Sequence, residues 1–298
     1  MFTFMGSVSA GMYLNPVLQF SQLRAFICAS DEMPEFSFSW YTSHWGIYAL
    51  IISVVVVSVL TGIYLKIGKK SHAWAAQAAP KNTQTDAPLI ALILPIVPVV
   101  LKIWLDFSVI GGFVIAGFAA LFLCGKMKGS FKENCQLVNK LYYDGVVDTA
   151  PLVGFLLTLP MFNTCASYAS PYFKEVLGGI MPTNEYVVCA LFAALSILGF
   201  FRGPLTLYGC GAATLGVLSA VGHFSVPFLF CVFTIPATTV NVGSCITQSW
   251  IAWGLAYTKV ESRDYLKLSI PFAYICSILL YILTAFTVTG LGPEWFLS

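Results

Sequence analysis

Charge is what this sequence has least of. Its 298 residues include 15 Lys or Arg and 13 Asp or Glu, so 9% are charged, against roughly 25% in a soluble globular domain. So few charges cannot cover a water-facing surface, which excludes the soluble enzyme classes. No strongly acidic or basic block is present and the net charge is +2, so nucleic acid is not expected as a partner. The nine cysteines form no CxxC pair. Most lie in apolar runs and read as small packing residues, not as a disulfide framework. There is no HExxH, no Walker A sequence, no paired metal-ligand spacing and no nucleophile–base constellation. No catalytic residue, metal site or cofactor is expected, and the chain does not read as an enzyme. The N-terminus also lacks the positive stretch of a signal peptide.

What is present is apolar. Hydrophobic residues make up 58% of the chain, and mean hydropathy is +0.83. The expectation is an all-α, polytopic integral membrane protein of the cell inner (cytoplasmic) membrane. At ~20 residues per span the length allows at most roughly ten passes.

Loop charge orients the spans, because Lys and Arg concentrate on the cytoplasmic side. Residues 46–66 form the clearest span. Asp31, Glu32 and Glu35 precede it, and Lys66, Lys69, Lys70 and Lys81 follow it, so it runs inward. Residues 73–87 read as a cytoplasmic linker. Residues 88–105 then run outward, Asp106 marks the turn, and 107–125 return to Lys126, Lys128 and Lys132. Residues 132–144 suggest an interfacial helix, 149–168 a crossing, and 169–184 an external loop with a short helix. An apolar run at 185–221 is interrupted by Arg202-Gly203-Pro204. Two crossings or a re-entrant hairpin both fit the loop charges, and the short arms favour the hairpin. Residues 224–258 are expected as one broken crossing, interrupted at Pro236 and at Asn241-Val242-Gly243-Ser244. The last span, 269–290, runs outward.

Gly6-Ser7-Val8-Ser9 before the first span and Gly243-Ser244-Cys245 before the last form a weak internal echo. The two units end in opposite directions, as the inverted repeats of secondary transporters do. The expected division is therefore 1–72 as the end of a first repeat, the linker 73–87, and 88–291 as a second repeat. On that reading the 298 residues hold about two-thirds of a transporter. Either the start is truncated or a second chain supplies the missing helices.

Two stretches are candidates for chemistry. Arginine in mid-membrane is costly, by at least ~2.5 kcal/mol on insertion scales. Arg202 with Gly203 and Thr206 can therefore hold an anion, with nearby backbone amides helping. The alternative is an arginine that pairs or snorkels structurally. Asn241, Gly243, Ser244 and Thr247 put oxygen donors inside an apolar crossing, which suits a substrate or Na⁺ site. The alternative is interhelical hydrogen bonding. Asn241, Ser244 and Asp148 are the candidates for the coupling ion, Asp148 through a proton-relay role. Asn163, Lys102 and His223 read more simply as a polar helix end, a snorkelling cation and a loop residue.

The order Gly145-Val146-Val147-Asp148, outward span, hairpin with Gly203-Pro204 and Tyr208-Gly209, long crossing with Ser244, then Gly254-Leu255-Ala256-Tyr257-Thr258-Lys259 resembles the ion transporter superfamily. The likeness is to its citrate–metal/proton symporter and gluconate permease branches, and it covers roughly 88–291. It implies a site built by a re-entrant hairpin and an unwound helix. It also implies transport in which a substrate-holding domain moves against a scaffold. The expected function is symport of a small organic anion, such as a carboxylate or hydroxycarboxylate, driven by H⁺ or Na⁺. The other reading is a non-transporting or partial subunit that requires a partner chain. The partners expected are the anion, the lipid bilayer, and either a second copy or a chain completing the first repeat.

Overall fold

The computed structural model describes residues 11–13, 38–68, 96–105, 107, 109–123, 130–177, 179–180, 182–207, 209–222, 224–248, 251, 254–255, 258 and 260–291. The Gly6-Ser7-Val8-Ser9 stretch, the linker 73–87, Asp106 and His223 lie outside these residues. Every regular element among the described residues is helical. In chain order they are α1 (Phe38–Tyr41), α2 (Ile47–Gly68), α3 (Val97–Leu105), α4 (Val109–Leu123), α5 (Phe131–Leu177), α6 (Glu185–Ala194), α7 (Gly211–Val221), α8 (Val226–Ile235) and α9 (Ser262–Thr287). A π-helical turn, Thr42–Gly46, joins α1 to α2, a 3-10 segment, Ser196–Arg202, follows α6, and a π-helical segment, Pro236–Val242, continues α8.

Among the described residues, two stretches are long and apolar enough to cross a membrane, Thr42–Tyr64 and Ser262–Thr287. The pair Glu185–Ala194 and Ser196–Arg202, bent by 63°, makes a third if it counts as one span. The four consecutive valines of α2, Val54 to Val57, are poor helix formers in water. In lipid no water satisfies the backbone, and a helix is the way a single segment can pair its own amides and carbonyls. Trp45, Ala49, Ser53, Val56 and Val57 are buried, a spacing of three or four that places them on one face. Ile47, Ile51, Val55, Val59 and Ile63 are exposed. The outer face is thus as apolar as the inner one, as a lipid-facing helix requires.

That inner face packs on α9, whose Tyr265, Ser269, Phe272, Cys276, Leu280 and Thr284 are buried. Trp45 Nε1 donates to Thr284 Oγ1 at 3.0 Å, and Ser53 Oγ lies 3.4 Å from Cys276 Sγ. Numbers rise along one helix as they fall along the other, so the two run antiparallel. The loop charges assign these spans the same opposed directions.

All of α8 is buried. Ser225 caps it by accepting from Phe228 N at 3.4 Å, and Pro227 sits in the first turn, where its missing N–H costs nothing. Tyr41 meets Phe230 edge-on at 5.1 Å, and Phe192 meets Phe233 at 5.5 Å. These contacts make α8 the centre of its unit.

The packing divides into two compact units, Met1–Ser71 with Leu157–Ser298, and His72–Leu156. Residues 1–72 therefore do not stand apart, because Tyr13, Tyr41 and Trp45 belong to the same buried cluster as α8 and α9. In the second unit α3 and α4 pack closely at Gly112, where an added Cβ would lie 2.9 Å from Pro98 Cα.

Three boundaries differ from expectation. The interfacial helix at 132–144, the crossing at 149–168 and the start of the loop at 169 are one continuous helix, α5, of 47 residues. The helix runs through Gly145, Pro151, Gly154, Pro160 and Pro171, all poor helix formers, so the change in hydropathy along it is not a change of backbone. The last helix starts at Ser262 instead of 269, because its first turns are polar and helical together. There Lys267 Nζ donates to Asp264 Oδ1 at 2.6 Å. The described part of the span expected at 88–105 is helical from Val97.

The Trp45–Thr284 bond should measure the α2–α9 coupling. A double-mutant cycle of Trp45→Phe and Thr284→Val, read by unfolding in detergent, should give about 0.6 kcal/mol and at most ~1.7 kcal/mol. A coupling of zero would show that the bond does not hold the pair together.

Candidate functional site

The apolar run 185–221 does break where its sequence turns polar. Asn184 Oδ1 caps α6 by accepting from Tyr186 N at 2.9 Å and Val187 N at 3.4 Å. The chain bends after Ala194, passes through the 3-10 segment, and turns sharply at Phe201 (φ 52°) and Arg202 (φ 61°). Successive non-glycine residues in the left-handed region are uncommon and cost about 1–3 kcal/mol each. The helix after the turn, α7, has 11 residues, ~16 Å at 1.5 Å per residue, too short by itself to cross a ~30 Å hydrocarbon core.

The tip is held by its own backbone. Gly203 N donates to Phe200 O at 3.0 Å, Cys210 N to Arg202 O at 3.1 Å, and Thr206 N to Gly203 O at 3.2 Å. Gly209 N and Gly211 N both donate to Thr206 O at 2.9 Å. Thr214 Oγ1 donates to Pro204 O at 2.6 Å. A Cβ on Gly203 would fall on Leu198 O, and one on Gly209 would fall on the backbone of Arg202. These amides are spent inside the tip, so they are not the anion cradle expected from the sequence. Arg202 itself, half-buried, carries the positive charge.

The tip meets the end of the buried helical stretch Val226–Val242 and the turn after it through side chains. Asn241 Nδ2 donates to Thr206 Oγ1 at 3.3 Å, and Gln248 Nε2 donates to Asn241 Oδ1. All three residues are buried. Phe201 N donates to Cys245 Sγ at 3.2 Å, and that sulfur lies 3.0 Å from Thr247 Oγ1. Searches of protein-family models, curated proteins and solved structures return no match for this chain. The site is therefore read from its own geometry.

The crossing does not unwind where it was expected to. Asn241 and Val242 lie in the π-helical segment, Gly243 and Ser244 stay helical, and the chain turns at Cys245 to Gln248. Pro236 explains the start of the disturbance. It lacks an N–H and so leaves Val232 O without its helical partner. Tyr281 OH donates to that carbonyl at 3.2 Å. Farther on, Tyr265 OH donates to Gly243 O at 3.1 Å and Ser269 Oγ to Ser244 O at 3.3 Å. Ser244 Oγ donates to Thr239 O at 3.0 Å, and Thr239 Oγ1 pairs with Tyr13 OH.

Of the expected residues, Thr206 meets Asn241 directly; Arg202 and Gly203 share the tip with Thr206, and Gly243, Ser244 and Thr247 follow Asn241 in the polar stretch of this cluster. Thr247 is its exposed member. Asp148 lies on α5 within the His72–Leu156 unit, and the cluster is drawn wholly from the other unit. Sequence reasoning named Cys245 and Gln248 only as part of the polar run from Thr238, and passed over the α9 hydroxyls. A signal for the latter exists: Tyr265, Ser269, Cys276, Ser277, Tyr281 and Thr284 are all buried and recur on one helical face.

Gly209→Ala should lower stability by about 1–3 kcal/mol, as overpacking does, while Gly179→Ala, with no atom within 4 Å of its Cβ, should change it little. Thermal unfolding of both variants in one detergent provides the check, and equal midpoints would contradict the tight tip.

Proposed function

We propose that this chain is a secondary active transporter of a small organic anion, a symporter driven by H⁺ or Na⁺, built like the ion transporter superfamily. The observation that carries the reading is Arg202. It stands on a strained turn at the tip of an apolar bent arm, hydrogen-bonded surroundings join that tip to a break in a fully buried crossing, and no other formal charge occurs between Glu185 and Lys259 with histidine counted as neutral. A charge at such a position is costly to keep, and substrate recognition is the role that uses it. The guanidinium binds a carboxylate through a planar pair of donors, and Gly203 and Thr206 set its place.

On this reading the hairpin and the broken crossing move together as the substrate-holding part, alternately facing the two sides of the inner membrane. Asn241 and Ser244 are the candidates for a coupling cation, through neutral oxygens, and Asp148 is the candidate for a coupling proton. The antiparallel α2–α9 pair supports an inverted-repeat plan, in which 1–72 ends one repeat and 88–291 forms the other.

A partial membrane subunit completed by a partner chain is the second reading. It is favoured by α5, whose Tyr142, Leu157, Met161, Tyr168 and Tyr172 are all exposed. A second copy of the chain would serve the same purpose.

Reconstituted alone in liposomes, the chain should accumulate an organic anion under an inward H⁺ or Na⁺ gradient. Arg202→Ala should reduce that uptake at least tenfold, about the loss from one charge-assisted contact. No uptake of any organic anion under either gradient would overturn the reading, and unchanged uptake by Arg202→Ala would overturn the site.

A further inference from the structure

We infer that in this conformation the polar cluster stands at the cytoplasmic end of its unit and is reached by water from that side alone, the outer side being closed by packed aromatic rings. The inference goes beyond the transporter reading and does not depend on it. It rests on depth along α9.

Helix α9 serves as a ruler. Trp45 meets Thr284 and Ser53 meets Cys276, so α2 and α9 share one scale in opposite directions. Lys66 lies thirteen residues past Ser53, and Arg263 lies thirteen before Cys276. Both basic ends therefore fall at one level, about 20 Å from that contact at 1.5 Å per residue. Lysine and arginine mark the cytoplasmic side. The bent arm follows α9 toward that end. Glu185 Oε2 accepts from Gly290 N at 2.8 Å, Phe192 meets Tyr281 at 6.2 Å, and Ser196 and Phe200 line one cleft with Ile270, Ala273 and Tyr274. From Thr287 to Ala273, α9 rises about 21 Å, most of a ~30 Å hydrocarbon core. The cluster lies farther along. Ser269 donates to Ser244 O and Tyr265 to Gly243 O, within about 10 Å of the start of α9 at Ser262.

The two ends of the unit differ in what they expose. At the tip Phe201, Cys210 and Thr247 are exposed, and Cys210 N donates to Arg202 O at 3.1 Å. Toward the outer end Tyr41, Trp45, Phe192, Phe230, Phe233 and Tyr281 are all buried. Tyr41 lies 5.6 Å from Trp45 and 5.1 Å from Phe230, and Phe192 lies 5.5 Å from Phe233. Rings packed at that spacing leave no passage for water.

Cys210 is a native reporter. A thiol reacts as its thiolate, which forms in water and not in lipid. An anionic, membrane-impermeant methanethiosulfonate is applied to right-side-out and inside-out vesicles holding the full chain, and each site is read by peptide mass spectrometry. Cys210 should be modified about tenfold faster or more from the cytoplasmic side. Glu261→Cys and Ser43→Cys, at exposed positions near the two ends of the α2–α9 pair, mark the sides. The first should follow Cys210 and the second should show the reverse. Buried Cys231 and Cys276 should stay unmodified from either side.

Cys210 reacting with the sidedness of Ser43→Cys would overturn the inference. So would a Cys210 that reacts from neither side while both markers do. Equal rates from both sides would overturn the aromatic closure and the inference with it. Should a marker variant fail to insert, Cys210 of the native chain still decides, because vesicle orientation is set by how the vesicles are made. None of these outcomes bears on anion uptake, so failure here is distinct from failure of the transporter reading.

Discussion

The structure depends on satisfying backbone carbonyls where no water can reach them. A crossing broken by Pro236 and by the turn after Ser244 exposes polar backbone inside an apolar unit, and each orphaned group there is costly. α9 meets that demand with three hydroxyls, Tyr281 to Val232 O, Tyr265 to Gly243 O and Ser269 to Ser244 O. The break can persist because the neighbouring helix α9 presents donors along one face. That same helix is held at neighbouring positions, Thr284 and Cys276, by Trp45 and Ser53 of the first span. The most regular elements of the fold therefore serve its least regular one.

The hairpin tip is the second dependent feature. Two left-handed residues in succession, Phe201 and Arg202, cost energy that the tip recovers through a dense set of short-range hydrogen bonds and through two glycines that let backbone approach backbone. Strain of this kind persists only where surroundings over-determine it. Here the surroundings include the Phe201 amide on Cys245 Sγ and the Thr206–Asn241–Gln248 chain. A tip fixed this firmly to the crossing holds the Arg202 charge at a defined place. It is also why the two segments are proposed to move as one substrate-holding body.

Much of this was legible in the residues. The spans at Thr42–Tyr64 and Ser262–Thr287 follow from apolar length, and their opposed directions follow from where lysine and arginine lie. Arg202-Gly203-Pro204 marked the sharp turn after the bent arm, because charge, glycine and proline rarely meet in an apolar run without purpose. The polar run from Thr238 to Gln248 marked the second half of the cluster. The position of the break within it was not legible. Gly243-Ser244 looks like the weak point, yet Tyr265 and Ser269 support the carbonyls there and the chain turns only after Ser244. The continuity of α5 was hidden for another reason: hydropathy changes along it at Asp148, and Pro151, Pro160 and Pro171 read as breaks although the helix runs through them.

Composition and charge pattern alone determined the helical character of the described residues, which stretches are apolar enough to cross a membrane, and which single charge stands out between Glu185 and Lys259. Those properties are local, set by the transfer cost of each side chain and by a few residues of neighbouring loop. Only the tertiary structure decided that Thr206 reaches Asn241, that Cys245 receives the Phe201 amide, that Asp148 belongs to a different unit from the cluster, and that residues of α9 complete a broken helix far away in sequence. Such pairings depend on which faces of separate helices meet. A spacing of three or four residues says which side chains share a face, but it cannot say what that face is packed against.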